Sequence, residues 1–352
     1  MRNQVVREDL ERIAASDLPW SVFEGRTVLI TGANGFLPAY MLETLLYLNE
    51  VNHKHRTQRT KVIGLVRNRA KAMSRLSLYQ DRDDLQLIEQ DVGKPISISE
   101  KIDYIVHAAS QASPRFYSVD PVGTLAANIM GTGNLLNLAM TKETAGFLFF
   151  STSEVYGTVD PTQIPIKENT YGWIDPTDVR SCYAESKRMG ETMCISWFHQ
   201  YGVPAKIVRP FHTFGPGMEL DDGRVFADFV ADILGNRDIL MRSDGSAIRA
   251  FCYLADATIG FFTILLKGKT GEAYNIGNDK GEVSISDLAS MLVDLFPEKG
   301  LKVIRQEPTL QQDDLKSKIL RSCPDISKAR ALGWQPMTSI RDGFFRTIRS
   351  FA

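Results

Sequence analysis

The sequence predicts an α/β fold, a doubly wound parallel sheet followed by a smaller α/β portion at the C-terminal side. Apolar strand-like segments alternate with helical patterns between residues 27 and 209, and such alternation is typical of a parallel sheet covered on both faces. The first strand ends at Gly32, and a pattern of helical period begins at Leu37 without a linker. Beyond Pro210 the segments are shorter and rich in turn residues, which indicates the second, smaller portion.

Each element of the predicted sheet has its own residue pattern. Apolar and β-branched runs predict strands over 27–30, 61–66, 85–88, 103–109, 146–150 and 205–209. Helical spacing predicts a leading helix over 5–15 and long helices over 121–141 and 181–201. A last strand and helix between about 250 and 266 are expected to return to the main sheet. Ligands bind at the carboxyl ends of the strands in such sheets, so we expect the functional residues there.

Composition and charge narrow the class of protein. At 352 residues with 43% hydrophobic content the chain can bury a large core, and its formal net charge of −1 argues against nucleic acid or an anionic membrane as the main partner. The polar N-terminus and the lack of an apolar stretch of about 18 residues predict a cytoplasmic protein. The four cysteines, Cys182, Cys194, Cys252 and Cys323, are far apart in the sequence. This spacing predicts free thiols and no metal site.

The turn between the first strand and the first helix is typical of a dinucleotide-binding unit. Gly32 permits backbone angles closed to other residues, and Gly35 permits close approach of a pyrophosphate, which rests on the helix N-terminus. Pro38 replaces the usual third glycine and is acceptable because it falls in the first helical turn. The spacing therefore predicts a Rossmann-like site contacted by Gly32, Asn34, Gly35, Phe36 and Leu37.

The ends of the later strands supply further candidate cofactor contacts. Arg67 and Arg69 follow the second strand, where an arginine accommodates the 2′-phosphate of NADP, so they favour NADP over NAD; the alternative is a solvated helix start. The polar end of the third strand is placed to meet the adenine, and small residues after the fourth let a backbone pass close to the cofactor. The candidates at these ends are Arg67, Asp91, Val92, Ala108, Ala109, Ser110 and Pro210.

A tyrosine and a lysine on a predicted helix are the first candidates for catalysis. Tyr183 and Lys187 are four residues apart and share one helical face. A neighbouring ammonium favours the phenolate, so we expect Lys187 to lower the pKa of Tyr183 towards neutrality. Thr152, at the end of the fifth strand, is placed to hold the substrate oxygen whose proton Tyr183 takes.

These motifs resemble a known family. The chain is similar to extended short-chain dehydrogenases/reductases of the NAD(P)-dependent nucleotide-sugar epimerase and dehydratase group from about residue 26 to 349, and it most resembles UDP-glucuronate decarboxylases. The matching segments are His107–Pro114, Ser151–Gly157, Asp221–Val225, Arg249–Phe251 and Pro324–Arg330 before Gly333-Trp334.

The resemblance implies a reaction through a transient 4-keto sugar. Tyr183 takes the proton of the 4-hydroxyl while C4 delivers hydride to the nicotinamide, and Lys187 assists. Glu154 is the residue that serves chemistry at C5 in the group's decarboxylases and dehydratases, and Ser153 is typical of decarboxylases. GDP-mannose dehydratases share this Thr-Ser-Glu sequence, so 4,6-dehydration and epimerisation stay open as alternatives. A dinucleotide-sensing protein without enzymatic activity is the alternative from a different class.

The resemblance also implies substrate contacts, a partner and a division into domains. The implied nucleotide-sugar contacts are Ser113, His212, Arg224, Arg249 and Arg321. His212 stands where the group usually has asparagine, and the 313–324 segment with Arg321 is longer than in decarboxylases. The helices over 121–141 and 181–201 match those that pair in homodimers. We expect a leading helix over 1–24, an NAD(P)-binding domain over 25–210 with about 250–267, and a nucleotide-sugar domain over 211–249 and 268–352.

Overall fold

The computed structural model describes residues 2–51, 58–306 and 319–351. Within them a parallel sheet of seven strands has the order β3-β2-β1-β4-β5-β6-β10. Numbered in chain order, these strands are β1 Thr27–Thr31, β2 Lys61–Val66, β3 Leu85–Glu89, β4 Tyr104–His107, β5 Gly146–Phe150, β6 Ala205–Pro210 and β10 Ala273–Ile276. The order reverses between β1 and β4, so their carboxyl ends diverge there and leave room for a ligand. The predicted doubly wound parallel sheet is confirmed.

Helices cover both faces of this sheet and also pack within the C-terminal portion. They are α1 Gln4–Ala14, α2 Phe36–Val51, α3 Arg69–Arg75, α4 Arg115–Val119, α5 Pro121–Lys142, α6 Ser181–Tyr201, α7 Val225–Leu234, α8 Leu254–Lys267, α9 Ile285–Asp294, α10 Ser327–Arg330 and α11 Ile340–Arg349. Short 3-10 helices lie at Trp20–Phe23, Ser77–Tyr79, Ser153–Tyr156, Pro161–Gln163 and Pro297–Lys299. In the part of the chain that the model describes, no helix combines the length and the apolar character needed to cross a bilayer.

The central strand β5 shows why the sequence folds into a sheet buried on both faces. All five of its residues are buried. Successive side chains point to opposite faces, so Phe147 and Phe149 enter one core with residues of α5 and α6. Leu148 and Phe150 enter the other core with residues of α2 and α8. A continuous apolar run is the pattern that a strand covered on both sides requires.

The C-terminal portion corrects the expected pairing of one strand. Strand β9 (Ile248–Tyr253) does not return to the main sheet, because it pairs with β7 (His212–Phe214), β11 (Glu282–Ser284) and β13 (Arg321–Ser322) in a second sheet. Helix α8 does pack on β5 and β6 as expected. The seventh main strand is β10, from the region assigned to the smaller domain, and it pairs in parallel with β6. A two-stranded sheet of β8 (Ile239–Met241) and β12 (Val303–Arg305) completes this portion.

Candidate active site

The glycine turn between β1 and α2 has the geometry that its sequence predicts. Gly32 has a φ of +65°, and a Cβ there would lie 2.9 Å from the Ala109 Cα, so a side chain is excluded both by conformation and by space. The Gly35 amide donates to the Gly32 carbonyl at 2.7 Å and closes the turn. Pro38 is the third residue of α2, where its missing N–H leaves no helical bond unmade. Asn34, Phe36 and Leu37 are partly exposed at this turn.

A buried histidine that we did not single out as a site residue holds the backbone beneath the glycine turn. The Thr31 hydroxyl accepts from the amides of Ala108 and Ala109, at 3.2 and 3.1 Å, and lies 3.0 Å from His107 Nδ1. His107 Nε2 lies 3.0 Å from the Thr132 hydroxyl, which itself donates to a backbone carbonyl. Nε2 must therefore carry the proton, and Nδ1 accepts from Thr31. Burial holds the pKa of His107 well below its usual value, so the ring stays neutral.

The strand ends around this turn fit a dinucleotide. The Ser110 hydroxyl is buried without a hydrogen-bond partner among the described residues, so its donor is available. Arg67 is exposed after β2, and within residues 2–51, 58–306 and 319–351 its guanidinium makes no hydrogen bond or ion pair. Asp91 is exposed, and its carboxylate accepts from the Gly93 amide at 2.8 Å. Pro210 is partly exposed where β6 ends.

Two predicted contacts at these ends have other partners. The Val92 side chain is buried against Gly131 of α5, and its carbonyl accepts from the Asn134 side chain at 2.8 Å, so Val92 belongs to the core. Arg69 is used locally, since its guanidinium donates to the Leu87 carbonyl at 3.0 Å. Arg67 is thus the arginine of this pair that keeps its donors available.

Tyr183 and Lys187 lie on one face of α6, at the carboxyl end of β5. Lys187 is 2% exposed, and its Nζ donates to the Phe150 carbonyl at 2.7 Å. Burial lowers the pKa of Lys187 to about 7. The expected lowering of the Tyr183 pKa is wrong for the protein alone: burial first, then the charge of Glu154, raises it to about 12, while Thr152 acts in the opposite direction. Burial of the phenol, the largest of these causes, explains the difference.

The residues after β5 form a short 3-10 helix that presents a carboxylate to Tyr183. Thr152 caps this helix by accepting from the Glu154 amide at 3.2 Å. Ser153 and Glu154 are partly exposed, whereas Thr152 is buried. This 3-10 helix and its cap therefore contain the three residues that the sequence predicts as catalytic at this strand end.

Charged and polar side chains from separate segments gather near Glu154, and we term them the charged cluster: Glu154, Arg180, His212, Arg224 and Arg249. The Glu154 charge acts on Arg249 and Tyr183, and the charges of Arg249 and Arg224 act on His212. Burial and these two cations lower the pKa of His212 to about 3, so its imidazole is neutral. His212 Nδ1 is buried without a hydrogen-bond partner. Arg249 donates only to backbone carbonyls among the described residues, those of Ile248, Leu320 and Ile319.

Tyr117 and Arg180 belong to this site and were missed by sequence reasoning. The Tyr117 ring, on α4, stacks on the Tyr183 ring with centroids 4.8 Å apart and an interplanar angle of 13°. Arg180 precedes α6 and lies 3.6 Å from a Glu154 oxygen. The signal was weak, because neither residue is part of a local spacing pattern; only the adjacency of Arg180 to the tyrosine helix hinted at a role.

A second set of polar groups lies below the end of β5, and we term it the buried network: Ser151, Tyr156, Glu191, Arg209 and Asn275. Arg209 makes two bonds to the Glu191 carboxylate, at 2.8 and 2.6 Å, and one to the Tyr156 hydroxyl at 2.9 Å. Ser151 donates to Glu191, and Tyr156 donates to the Asn275 side chain. The network joins β5, β6, α6 and β10, so it fixes the strand end that carries Thr152.

The predicted substrate residues do not all reach this site. Arg321 of β13 stands beside Ile248 in the register, and Ser322 stands beside Arg249. Registered neighbours share a face, so Arg321 points away from the face of Arg249. It forms a two-bond pair with Glu282 at 2.8 Å instead. The rest of its predicted segment, residues 313–318, lies outside the described residues.

Ser113 and Arg224 meet at one loop. The Ser113 hydroxyl donates to the Asp222 carbonyl at 2.7 Å, and Arg224 pairs with the Asp222 carboxylate at 2.8 Å. Arg224 also donates to the Ala112 carbonyl at 3.1 Å. These bonds tie the segment after β4 to the smaller portion of the molecule, so Ser113 has a structural partner already.

This fold and site define a class: a nucleotide-binding α/β protein with a glycine turn after β1 and a Tyr–Lys pair on α6. A family model described as the NAD dependent epimerase/dehydratase family matches residues 28–277. The chain belongs to this family, and its expected resemblance and NAD(P) binding are thereby confirmed at the family level.

Named relatives and solved structures agree with that membership. UDP-glucuronic acid decarboxylase 6 of Arabidopsis thaliana is 36% identical over 90% of this chain and 86% of its own length. UDP-glucuronic acid decarboxylase 1 of Xenopus tropicalis is 34% identical over 98% of this chain and 77% of its own. UDP-glucuronic acid 4-epimerase from Bacillus cereus, solved with UDP-glucuronic acid and NAD, aligns with a TM-score of 0.74 and 24% identity over 92% and 98% of the two chains. UDP-glucose 4-epimerase from Thermotoga maritima aligns with a TM-score of 0.78 and 21% identity over 92% and 98%.

Proposed function

We propose that the chain decarboxylates UDP-glucuronate through a transient 4-keto sugar, with NAD(P) as cofactor. The observation that carries the proposal is the packing of the 3-10 helix that bears Ser153 and Glu154 against α6, which bears Tyr183 and Lys187, at the end of β5. A base for the 4-hydroxyl and a carboxylate for chemistry at C5 are what this reaction requires. The similarity to proteins named UDP-glucuronic acid decarboxylase over most of the chain supports it.

In the proposed reaction Tyr183 accepts the proton of the sugar 4-hydroxyl as hydride leaves C4, which gives the 4-keto sugar. Bound NAD(P) supplies the hydride acceptor here and the hydride donor in the last step. The keto group takes up the electron pair of the bond between C5 and the carboxylate as CO2 departs, and a proton then adds at C5. Hydride returns to C4, and Tyr183 gives its proton back to the C4 oxygen. We assign the chemistry at C5 to Ser153 and Glu154.

Tyr183 has to be ionised to start this sequence. Burial raises its pKa to about 12 in the protein alone. Oxidised nicotinamide carries a positive charge, and a cation beside a phenol favours the phenolate. We therefore expect the pKa of Tyr183 to fall when the oxidised dinucleotide binds.

Three residues of the charged cluster are proposed to hold the nucleotide diphosphate. Among the described residues Arg249 has no carboxylate partner, and His212 Nδ1 has no partner at all. Guanidinium groups suit phosphate because parallel N–H donors meet two oxygens. A neutral imidazole with the proton on Nδ1 offers one further donor. Nη1 of Arg224 donates to the Asp222 carboxylate, and the N–H groups of Arg224 that are left over are proposed to donate to the diphosphate.

The test is incubation with UDP-glucuronate and NAD⁺, followed by mass spectrometry. Loss of CO2 from the nucleotide sugar is expected, and Tyr183→Phe should reduce turnover by about 10²- to 10⁴-fold. Tyr171→Phe, at an exposed tyrosine, is the matched control. Loss of water from another nucleotide sugar would assign 4,6-dehydration instead, and an isomer of unchanged mass would assign epimerisation. Turnover that survives in Tyr183→Phe would refute the assigned base.

A preference for NADP over NAD is proposed from Arg67. Its exposed guanidinium stands at the end of β2, where the adenosine ribose lies in such folds. Arg67→Gln should weaken NADP binding by about tenfold, as expected for one exposed charge-assisted contact, and leave NAD binding unchanged. Titration of both dinucleotides against the two proteins decides it, with equal losses for NAD and NADP speaking against the preference.

A homodimer through α5 and α6 is the proposed assembly. These helices pack on each other and expose apolar side chains, namely Val122, Met130, Met140, Met189, Ile195 and Phe198. Exposed apolar patches of this kind mark interaction sites. Light scattering should give twice the chain mass, and Met189→Glu should shift it to one chain; a monomeric parent protein would contradict the proposal.

A further inference from the structure

Arg180 occupies a position between two groups of the proposed reaction. It is the residue immediately before α6, and its guanidinium carbon lies 5.9 Å from the centre of the Tyr117 ring. The Tyr117 ring stacks on Tyr183 at 4.8 Å. On its other side the guanidinium faces Glu154, with an Nη1–Oε2 distance of 3.6 Å. One side chain thus contacts both the candidate carboxylate and the ring packed against the candidate base.

The pairing of Arg180 with Glu154 is looser than that of a structural ion pair. A distance of 3.6 Å exceeds a hydrogen bond, and Arg180 Nε is buried without a partner. By contrast, Arg209 meets Glu191 through two bonds of 2.8 and 2.6 Å. About a quarter of each side chain in the loose pair is exposed, 25% and 29%. The guanidinium therefore places a positive charge next to Glu154 without forming a hydrogen bond to its oxygens.

Titratable and charged groups of the neighbouring elements face this carboxylate. They are Tyr117 of α4, Arg180 before α6, Cys182 and Tyr183 of α6, and Arg249 of β9. Burial raises the pKa of Tyr117 and of Cys182, Glu154 raises both further, and Arg180 lowers both. Arg180 and Glu154 therefore act on the same neighbours with opposite sign.

We propose that Arg180 is a positioning residue that holds the Glu154 carboxylate on the Tyr183 side of the site. This inference rests on the proposed function, since it assigns the support of Glu154 in that reaction. The planar guanidinium is required because one edge faces the carboxylate while its face covers Tyr117. An ammonium at the same place supplies the charge without the stacking.

The test is the separate measurement of kcat and KM for CO2 release in Arg180→Gln and Arg180→Lys. A Glu154 carboxylate that is no longer held in place acts less well in the reaction without changing substrate binding, so kcat should fall about tenfold in Arg180→Gln while KM changes by less than about twofold. Arg180→Lys should restore only part of kcat, because an ammonium supplies the charge without the stacking. Arg237→Gln, which removes the ion pair of an exposed arginine with Asp232, is the matched control and should leave both constants unchanged.

A double-mutant cycle separates positioning from a merely structural effect. If Arg180 acts through Glu154, then Arg180→Gln introduced into Glu154→Gln should cause less than about a twofold further loss. Full additivity, or a loss in Arg180→Gln that lies in KM and not in kcat, would overturn the inference. Should Arg180→Gln fail to fold, Arg180→Lys and its cycle with Glu154→Gln decide the question. Absence of CO2 release from the parent protein refutes the proposed function itself, whereas a working parent whose Arg180→Gln variant keeps its kcat refutes only this inference.

Discussion

Two groups of polar residues meet at the end of β5, and they differ in how fully they are satisfied. In the buried network Arg209 donates hydrogen bonds to Glu191, Tyr156 and a backbone carbonyl. In the charged cluster His212 Nδ1 and Arg180 Nε are buried without partners in the part of the chain that the structure describes. A buried polar group without a partner costs about 1–3 kcal/mol. From this difference we infer that the buried network holds the strand end in place, whereas the charged cluster keeps donors for a ligand.

The largest effect that tests this comparison is expected at Glu191. Glu191→Gln leaves the Arg209 guanidinium buried without its carboxylate, and breaking a buried pair costs about 3–5 kcal/mol. The side chains are 13% and 11% exposed, so solvent screens the loss little. Urea unfolding monitored by circular dichroism measures the change in the free energy of unfolding.

The matched control for this substitution is Glu11→Gln. Glu11 pairs with Arg7 on the surface of α1, with side chains 45% and 67% exposed. Such a pair contributes at most about 0.5 kcal/mol. A loss at Glu191 no larger than the loss at Glu11 would show that the buried network does not stabilise the fold.

The second prediction concerns the other glutamate of the site. Glu154→Gln should reduce turnover of UDP-glucuronate by about 10²-fold or more, since general acid–base groups contribute on this scale. It should change the free energy of unfolding by less than about 1 kcal/mol, because its ion pair is long and partly exposed. Kinetics and urea unfolding of the same preparation measure both. A variant that unfolds readily but keeps its rate would reverse the roles of the two groups.

The sequence revealed the parts of this site that depend on local spacing. The glycine turn and the Tyr183–Lys187 pair were predicted because each follows from residues a few positions apart. Tyr117 and Arg180 were not, since their contacts arise only when α4 and α6 pack together. Arg321 was implied as a substrate contact only by its place in a longer segment, and its pairing with Glu282 depends on how β13 pairs with β9, which the sequence does not show.

The fold shows the same limit. The strands from β1 to β6 were predicted from apolar runs, but β9 was expected in the main sheet and lies in the second one, and β10, the seventh main strand, was not predicted. Pairing between distant strands is decided by tertiary packing, which single-sequence patterns do not contain. The pKa of Tyr183 was mistaken for a related reason. The spacing from Lys187 is visible in the sequence, whereas the burial that outweighs it is not.

The third prediction concerns Lys187, which lies between the charged cluster and the buried network. Its pKa is about 7 in the folded protein and 10.5 when unperturbed. As the pH falls from about 10.5 to about 7, the unfolded chain takes up a proton that the folded chain does not, so wild-type stability falls over this window. Each unit of pKa displacement corresponds to about 1.4 kcal/mol. Lys187→Met should remove this dependence.

The measurement is urea unfolding of both proteins at about pH 10 and about pH 6. The difference in stability between Lys187→Met and wild type should move in favour of the variant at the lower pH by a few kcal/mol, in line with the size of the pKa displacement. Lys94→Met, at an exposed lysine, serves as the control and should give a constant difference. A constant difference for Lys187→Met as well would mean that its ammonium is not buried as the structure has it.

The smallest effect is expected at His212. Because burial and two arginines hold its pKa near 3, the imidazole is neutral throughout the range from about pH 5 to about pH 8. His212→Asn replaces one neutral donor by another, so the affinity for UDP should change by less than about tenfold, which corresponds to the loss of a single neutral hydrogen bond. The ratio of the two affinities, measured by calorimetry, should stay constant across that pH range. A ratio that rises below about pH 7 would show that the ring becomes protonated when the diphosphate binds, and His212 would then belong with the arginines as a cation.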